Sequence, residues 1–183
     1  MDFRFPEAFL AARDRLRGLL TAGPFAEALS RWLARGALER PFFTALGEAG
    51  LYGFAMEGGR LSRTSALREV LLFEEFARVA AGAAIAALAH AELGLMGLWR
   101  FGSPALQVRY GPEAAAGRIV LCLANTEAHA GSDAAAIRTT ASPDGDGFRV
   151  SGAKAYVTNG ALADFAVVTA VTDPDAPRNR RSS

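Results

Sequence analysis

With 183 residues, 51% hydrophobic and 21% charged, the chain is long enough to bury a substantial core and has the composition of a soluble globular protein. Twenty basic residues against nineteen acidic ones leave a net charge of +1, which excludes a global field for recruiting nucleic acid. The single cysteine, Cys122, excludes a disulfide framework and fits a reducing, cytoplasmic compartment.

The N-terminal run MDFRFPEAF is charged and lacks the apolar core of a signal peptide. Up to about residue 117, alanine, leucine and arginine dominate and apolar residues recur at helical spacing. Pro24 opens a helix with Phe25, Ala28, Leu29 and Trp32 along one face. Pro41 opens another, carrying Phe42, Phe43 and Leu46, with Gly50 as its stop. A longer helix is expected from about Arg63 to Ala81, with Leu67, Val70, Leu71 and Phe76 inward. Within it, Glu74 and Glu75 are adjacent and point to different faces, which argues for a solvated face rather than a carboxylate pair.

Its neighbour, roughly Ala83 to Phe101, is rich in alanine and glycine, so close packing in the middle of a bundle is expected. The most apolar stretch, Val79 to Ala89, is too short for a membrane span and is followed by His90 and Glu92. His90 has no partner nearby in sequence and is assigned to a helix face or substrate cavity. Ser103-Pro104 forms an N-cap and first turn for a short helix ended by Gly111-Pro112.

From Arg118 onward the signals are those of strands. Ile119 to Ala124 is a continuous apolar run suited to burial on both faces. Ile137, Thr139 and Ala141 alternate with Arg138 and Thr140. Asp144-Gly145-Asp146-Gly147 is a turn cluster leading to Phe148-Arg149-Val150. Lys154 to Thr158 is strand-like and ends at the turn signal Asn159-Gly160, and Phe165 to Thr172 is a last β-rich run. The stretch from Asp173 has no periodicity, and its three arginines form a basic tail expected to be disordered. The expected fold is α+β and multidomain. An all-α helical bundle over residues 1–117 precedes a partial antiparallel β-barrel or sandwich domain over 118–173, with an irregular tail at 174–183.

Thr126-Glu127-Ala128-His129-Ala130-Gly131-Ser132-Asp133 is a polar loop between a buried strand and a half-buried one. Gly131 fits a positive φ or close backbone approach to a flat ligand, and Thr126 and Ser132 offer hydroxyls. Taken alone, the loop reads first as a place where Ser and Asp satisfy their own backbone. The second motif is Gly152-x-Lys154-x-Tyr156-Val157-Thr158-Asn159-Gly160, followed by Ala163-Asp164. Together the two motifs resemble the middle domain of acyl-CoA dehydrogenases. Pro41 to Leu51, Phe73 to Arg78, Phe101-Gly102-Ser103 and the Tyr110 to Gly117 stretch resemble the helical part of the same family. The likeness covers about residues 40–173.

The resemblance implies one wall of an FAD site, with Leu123, Thr126, Tyr156 and Thr158 along the flavin. It also implies that Ser132 faces both flavin and acyl-CoA substrate. Such a wall makes physical sense, because a planar redox ring needs an apolar face and a few donors at its heteroatoms. Taken singly, Tyr156 is equally an ordinary strand aromatic, Thr158 a turn hydroxyl and Asn159-Gly160 a hairpin signal. The family activity is α,β-dehydrogenation of an acyl-CoA thioester in fatty acid metabolism, and its members are homo-oligomers. Their catalytic carboxylate comes from a C-terminal domain, so no catalytic residue is assigned here. A gene product truncated by a frameshift near residue 174 is the expectation.

The sequence departs from the family pattern at Ala128, where proline is usual, and at Asn125, where an apolar residue is usual. His129 and the Ala55-Met56-Glu57 approach to Gly58-Gly59 are also atypical. Two alternatives stand beside the enzyme. One is a non-catalytic binding module that needs a separate C-terminal chain. The other is a flavin oxidase or monooxygenase on the same scaffold. No spacing of Cys, His and carboxylates fits a metal site, and no dinucleotide fingerprint follows a strand.

Overall fold

The computed structural model describes residues 5–64, 67–177 and 180–182. Helix α1 (Glu7–Thr21), for which no boundary was expected, buries Phe9, Ala12, Leu16 and Leu20 on one stripe. Helix α2 (Gly23–Arg35) starts on Pro24, buries Leu29 and Trp32, and stops at Gly36 in the left-handed region. Helix α3 (Arg40–Glu48) buries Phe42, Phe43 and Leu46. Gly50, at φ +67°, ends it as expected, with Leu51 N–H returning to Leu46 O.

The helical part contains a hairpin that the sequence reading did not assign. Strands β1 (Phe54–Glu57) and β2 (Arg60–Arg63) pair antiparallel with Glu57 opposite Arg60. Gly58 and Gly59, both at positive φ, make the two-residue turn whose twist suits such a hairpin. The helix expected from Arg63 therefore begins later, as α4 (Leu67–Ala77). Residues 65 and 66 of that expectation lie outside the described residues. The buried face of α4 is also rotated from the expected one: Leu71, Leu72, Glu75 and Phe76 are buried, whereas Leu67 and Val70 are exposed. The cause is Glu75. Its carboxylate accepts from Arg17 Nε at 2.6 Å and Nη2 at 2.8 Å, so a charge expected in solvent is paired against α1 instead.

The alanine-rich stretch folds as α5 (Ala81–Leu88), a π-helical turn at Ala89–Leu95 and α6 (Met96–Phe101). By length and hydropathy this helix is apolar enough to cross a membrane, yet 61% of its most apolar stretch is buried inside the chain. Helix α7 (Pro104–Ala115) is capped by Ser103, whose Oγ accepts Leu106 N–H. It runs through Gly111-Pro112 rather than ending there. A Cβ at Gly111 would sit 3.0 Å from Met56 Sδ, so this glycine serves the hairpin contact and is not a stop. The stop is Gly117, at φ +68°.

Strand β3 (Leu121–Ala124) pairs in parallel with β6 (Phe165–Val168), while β4 (Thr140–Asp144) and β5 (Gly147–Ser151) form an antiparallel hairpin. No closed barrel forms among the described residues. Ile137, Thr139 and Ala141 are buried and Arg138 and Thr140 exposed, as the alternation required, although the paired strand begins only at Thr140. Lys154 to Thr158 is not a strand. Tyr156 and Asn159 adopt φ of 54° and 66°, which an extended ladder cannot hold. The described end of the basic tail folds back, with Arg181 O accepting Thr172 N–H and Ser182 paired with Val171, while Arg178 lies outside the described residues.

The helices and β3 meet at His90. This side chain is fully buried, with Nε2 2.9 Å from Ala114 O and Nδ1 accepting Leu121 N–H at 3.0 Å. The Nδ1 acceptor role fixes a neutral ring with its proton on Nε2. Burial lowers its pKa to about 4, against the smaller opposing effect of the Ala114 bond. His90 is thus a core joint, not an exposed helix-face or cavity residue.

Two outcomes follow for stability. A Cβ at Gly117 would lie 2.1 Å from Phe43 O, whereas one at Gly50, also at positive φ, meets nothing within 4 Å. In denaturant titration, Gly117→Ala should cost roughly 2–4 kcal/mol, and Gly50→Ala only about 1. The second outcome concerns pH. Because His90 has a folded pKa below its unfolded value near 6.5, the unfolded state binds the extra proton. Stability is therefore complete above about 6.5 and falls as pH drops toward about 4. The loss should approach about 3 kcal/mol, and comparing the pH profile with that of His90→Asn isolates it.

Candidate functional site

Strand β3 is buried and seated on the π-helical turn. A Cβ at Gly94 would lie 2.3 Å from Leu121 Cβ, and one at Gly97 would lie 2.6 Å from Val167 Cγ2. Only glycine allows this approach, so the helix face and the strand end share one boundary. Beyond Ala124 the chain leaves the strand as the polar loop.

That loop is organised by a carboxylate. Glu127 N–H donates to Ala130 O and Ala130 N–H returns to Glu127 O, closing a tight turn. The turn drives the Glu127 side chain inward, where only 3% of it remains accessible. Its Oε2 accepts Arg138 N–H at 2.8 Å; its Oε1 accepts Thr139 N–H, the Thr139 hydroxyl and Lys154 Nζ. His129 Nε2 lies 3.3 Å from Oε2. Burial alone would push this carboxyl up; donation from the Thr139 hydroxyl, Lys154 and the two backbone N–H groups outweighs it and holds the pKa far below the usual range. Glu127 is ionised across ordinary pH.

Lys154 also donates to Asn125 O at 3.0 Å, and Ala155 N–H donates to Thr126 O at 2.9 Å. The segment 154–158 is thereby laid beside the end of β3. Its far end is held by Asn159, whose Nδ2 donates to Ala86 O of α5 at 2.8 Å, and by Gly160 N–H to Val157 O. Asp164 then fixes the start of β6: it accepts both Arg40 Nη atoms, at 2.6 and 3.0 Å, and Val120 N–H at 2.8 Å. The Arg40 bonds, ahead of burial in size, keep the Asp164 carboxyl below its usual range.

Between these segments is an open cavity of about 190 Å³ lined by Ala89, Leu93, Leu123, Asn125, Thr126, Ala155, Tyr156 and Thr158. Four of the five residues singled out in the sequence meet there: Leu123 and Thr126 on the strand side, Tyr156 and Thr158 opposite. Tyr156 is 90% exposed, so its ring is free of the core. Ser132 is exposed on the loop and does not line the cavity. Gly131 has no positive φ, and a Cβ built on it would meet nothing within 4 Å, so its backbone faces open space. A larger groove of about 340 Å³ beside Phe101, Leu106, Tyr110 and Phe165 is almost wholly apolar and contains no residue of the two β-domain motifs. No cluster of His, Cys, Asp and Glu suited to a metal occurs among the described residues.

Comparison with known families matches residues 8–118 to the acyl-CoA dehydrogenase N-terminal domain and residues 122–183 to the acyl-CoA dehydrogenase middle domain. The chain belongs to the acyl-CoA dehydrogenase family. A probable acyl-CoA dehydrogenase of Mycobacterium tuberculosis is 42% identical over 109 residues, which cover 60% of this chain and 28% of that protein. The human mitochondrial very long-chain specific acyl-CoA dehydrogenase is 42% identical over 98 residues, 51% of this chain and 15% of the relative. The crystal structure of an acyl-CoA dehydrogenase from Geobacillus kaustophilus superposes with a TM-score of 0.86 at 29% identity, covering 100% of this chain and 48% of that one. The chain thus spans less than half the length of these relatives. The middle-domain match continues through residue 183, past the position where a frameshift was expected.

Within the acyl-CoA dehydrogenase frame, the residues that sequence reasoning missed are Glu127 and Lys154. Both stood in the quoted motifs, but nothing in the spacing of 127, 139 and 154 announces a buried ion pair. Replacing Glu127 with Ala should strand Lys154 and three further donors and cost roughly 3–5 kcal/mol in chemical denaturation. The loss should be nearly insensitive to added salt, unlike that of an exposed pair.

Proposed function

We propose that this chain supplies one wall of a site for FAD and an acyl-CoA thioester, serving α,β-dehydrogenation of the thioester. The observation that carries the reading is the convergence of Leu123, Thr126, Tyr156 and Thr158 on one cavity. Its lining suits a planar redox ring: Leu123, Ala89 and Leu93 give an aliphatic face, and Tyr156 an aromatic one. Thr126 and Thr158 give hydroxyls for the ring heteroatoms. FAD, when bound, would supply the hydride acceptor.

The protein's own groups bind and orient. Leu123 and Leu93 exclude water from the apolar face, and the two threonines fix the ring in its plane. Ser132, exposed on the same loop, is the residue we assign to both the flavin and the acyl-CoA. Among the described residues no carboxylate lines the cavity, and we assign no catalytic base to this chain.

Titration of FAD into the purified protein, followed by quenching of flavin fluorescence, tests the reading. Saturable binding is expected, weakened roughly tenfold in Thr158→Ala and in Tyr156→Ala, with helical circular dichroism unchanged. A protein that leaves flavin fluorescence untouched at saturating concentration overturns it.

A further inference from the structure

We infer that Lys154 is the positioning residue of the cavity and, with Glu127, balances the charge behind it. The inference rests on the flavin reading above and deepens it. The two walls of the cavity belong to segments about thirty residues apart in sequence, and Lys154 Nζ joins them directly. It donates to the carbonyl of Asn125 on one wall and, through Glu127, reaches the turn that carries Thr126. Neither side chain lines the cavity itself. The lysine is 10% accessible and the glutamate 3%, so the pair is shielded from bulk solvent and each charge is screened less than one in water.

Other titratable and polar groups face the pair. His129 faces Glu127 Oε2 from the loop, and the other contacts to the carboxylate are neutral donors on Arg138 and Thr139. The arrangement therefore does two things at once. It fixes the separation of Thr126 from Tyr156 and Thr158, through the neighbouring Ala155 N–H to Thr126 O bond. It also places a cation and an anion of equal size behind Asn125 and Thr126, so that a bound ring meets no net charge from that side. Removing one member should disturb geometry and field together; removing both should restore the field but not the geometry.

The experiment compares Lys154→Met, Lys154→Arg, Glu127→Gln and the Glu127→Gln/Lys154→Met double variant with the wild type. The first readout needs no cofactor: amide hydrogen exchange of the free protein. In Lys154→Met, the Ala155 amide should exchange at least roughly tenfold faster, with the Leu121 amide on His90 unchanged. Lys154→Arg should keep Ala155 protected. The second readout is the midpoint potential of bound FAD. Glu127→Gln leaves an unbalanced cation and should raise it, Lys154→Met should lower it, and the double variant should return toward wild type. A lysine that only stabilises the fold would weaken both amides together and leave the potentials equal. Unchanged Ala155 protection and equal potentials overturn the inference while leaving the flavin reading intact. A wild type that binds no FAD sinks the flavin reading, and the Ala155 amide still decides whether Lys154 holds the two walls.

Discussion

The rest of the structure depends on how closely β3 sits on the helix that carries His90. At Gly94 there is no room for a Cβ against Leu121, and at Gly97 none against Val167. At such an approach the backbone of β3 cannot be solvated, so its first N–H must find a partner from the helix. His90 provides it on one ring nitrogen and satisfies Ala114 O with the other. One neutral side chain thus completes the hydrogen bonding of α7 and β3 together. The π-helical turn at Ala89–Leu95 surrounds it. Tyr52 and Phe43 close the remaining faces of the ring, with centroids at 4.5 and 5.8 Å.

That seat determines where the polar loop can begin. With Leu121 fixed, Ala124 ends the strand, and the next residues must turn away from the helix. The turn at Glu127–Ala130 sends a carboxylate inward, and burying it requires a set of donors. The donors come from Arg138 and Thr139, just before β4, and from Lys154, so the carboxylate gathers three segments of chain. This explains how a region whose described strands form two short pairs holds a defined geometry. Much of its backbone order around the cavity comes from charged side chains, namely Glu127, Lys154 and Asp164.

The legible parts of the sequence were those with a periodic or local signal. Proline at 24, 41 and 104 and glycine at 50 mark helix ends because their backbone restrictions act without regard to the rest of the chain. The alternation of Ile137, Thr139 and Ala141 shows burial correctly, even where no ladder forms. The features that local pattern does not carry depend on partners distant in sequence. The face of α4 was misplaced because Glu75 looks polar until Arg17, 58 residues away, is in view. Lys154 to Thr158 looked like a strand because β-propensity cannot register that Asn159 is tied to Ala86. For the site, the two family-like motifs led to Leu123, Thr126, Tyr156 and Thr158. Glu127 and Lys154 went unremarked, since a buried pair is a property of the fold and not of spacing.

The departures from the family pattern can be weighed by what each position does. At 128 the turn is closed by reciprocal backbone bonds between Glu127 and Ala130, so Ala128 leaves those bonds in place and adds only freedom in the unfolded chain. His129 reaches back to Glu127 Oε2 and lies outside the cavity lining. Asn125 is different. It contributes its carbonyl to Lys154, which any residue would do, but it also lines the cavity. It therefore puts a polar residue in a lining that also contains Leu123 and Tyr156. The first two departures lie outside the cavity lining, and the third lies within it. Of these three positions, only Asn125 lies in the cavity lining, on the boundary between the strand and the loop.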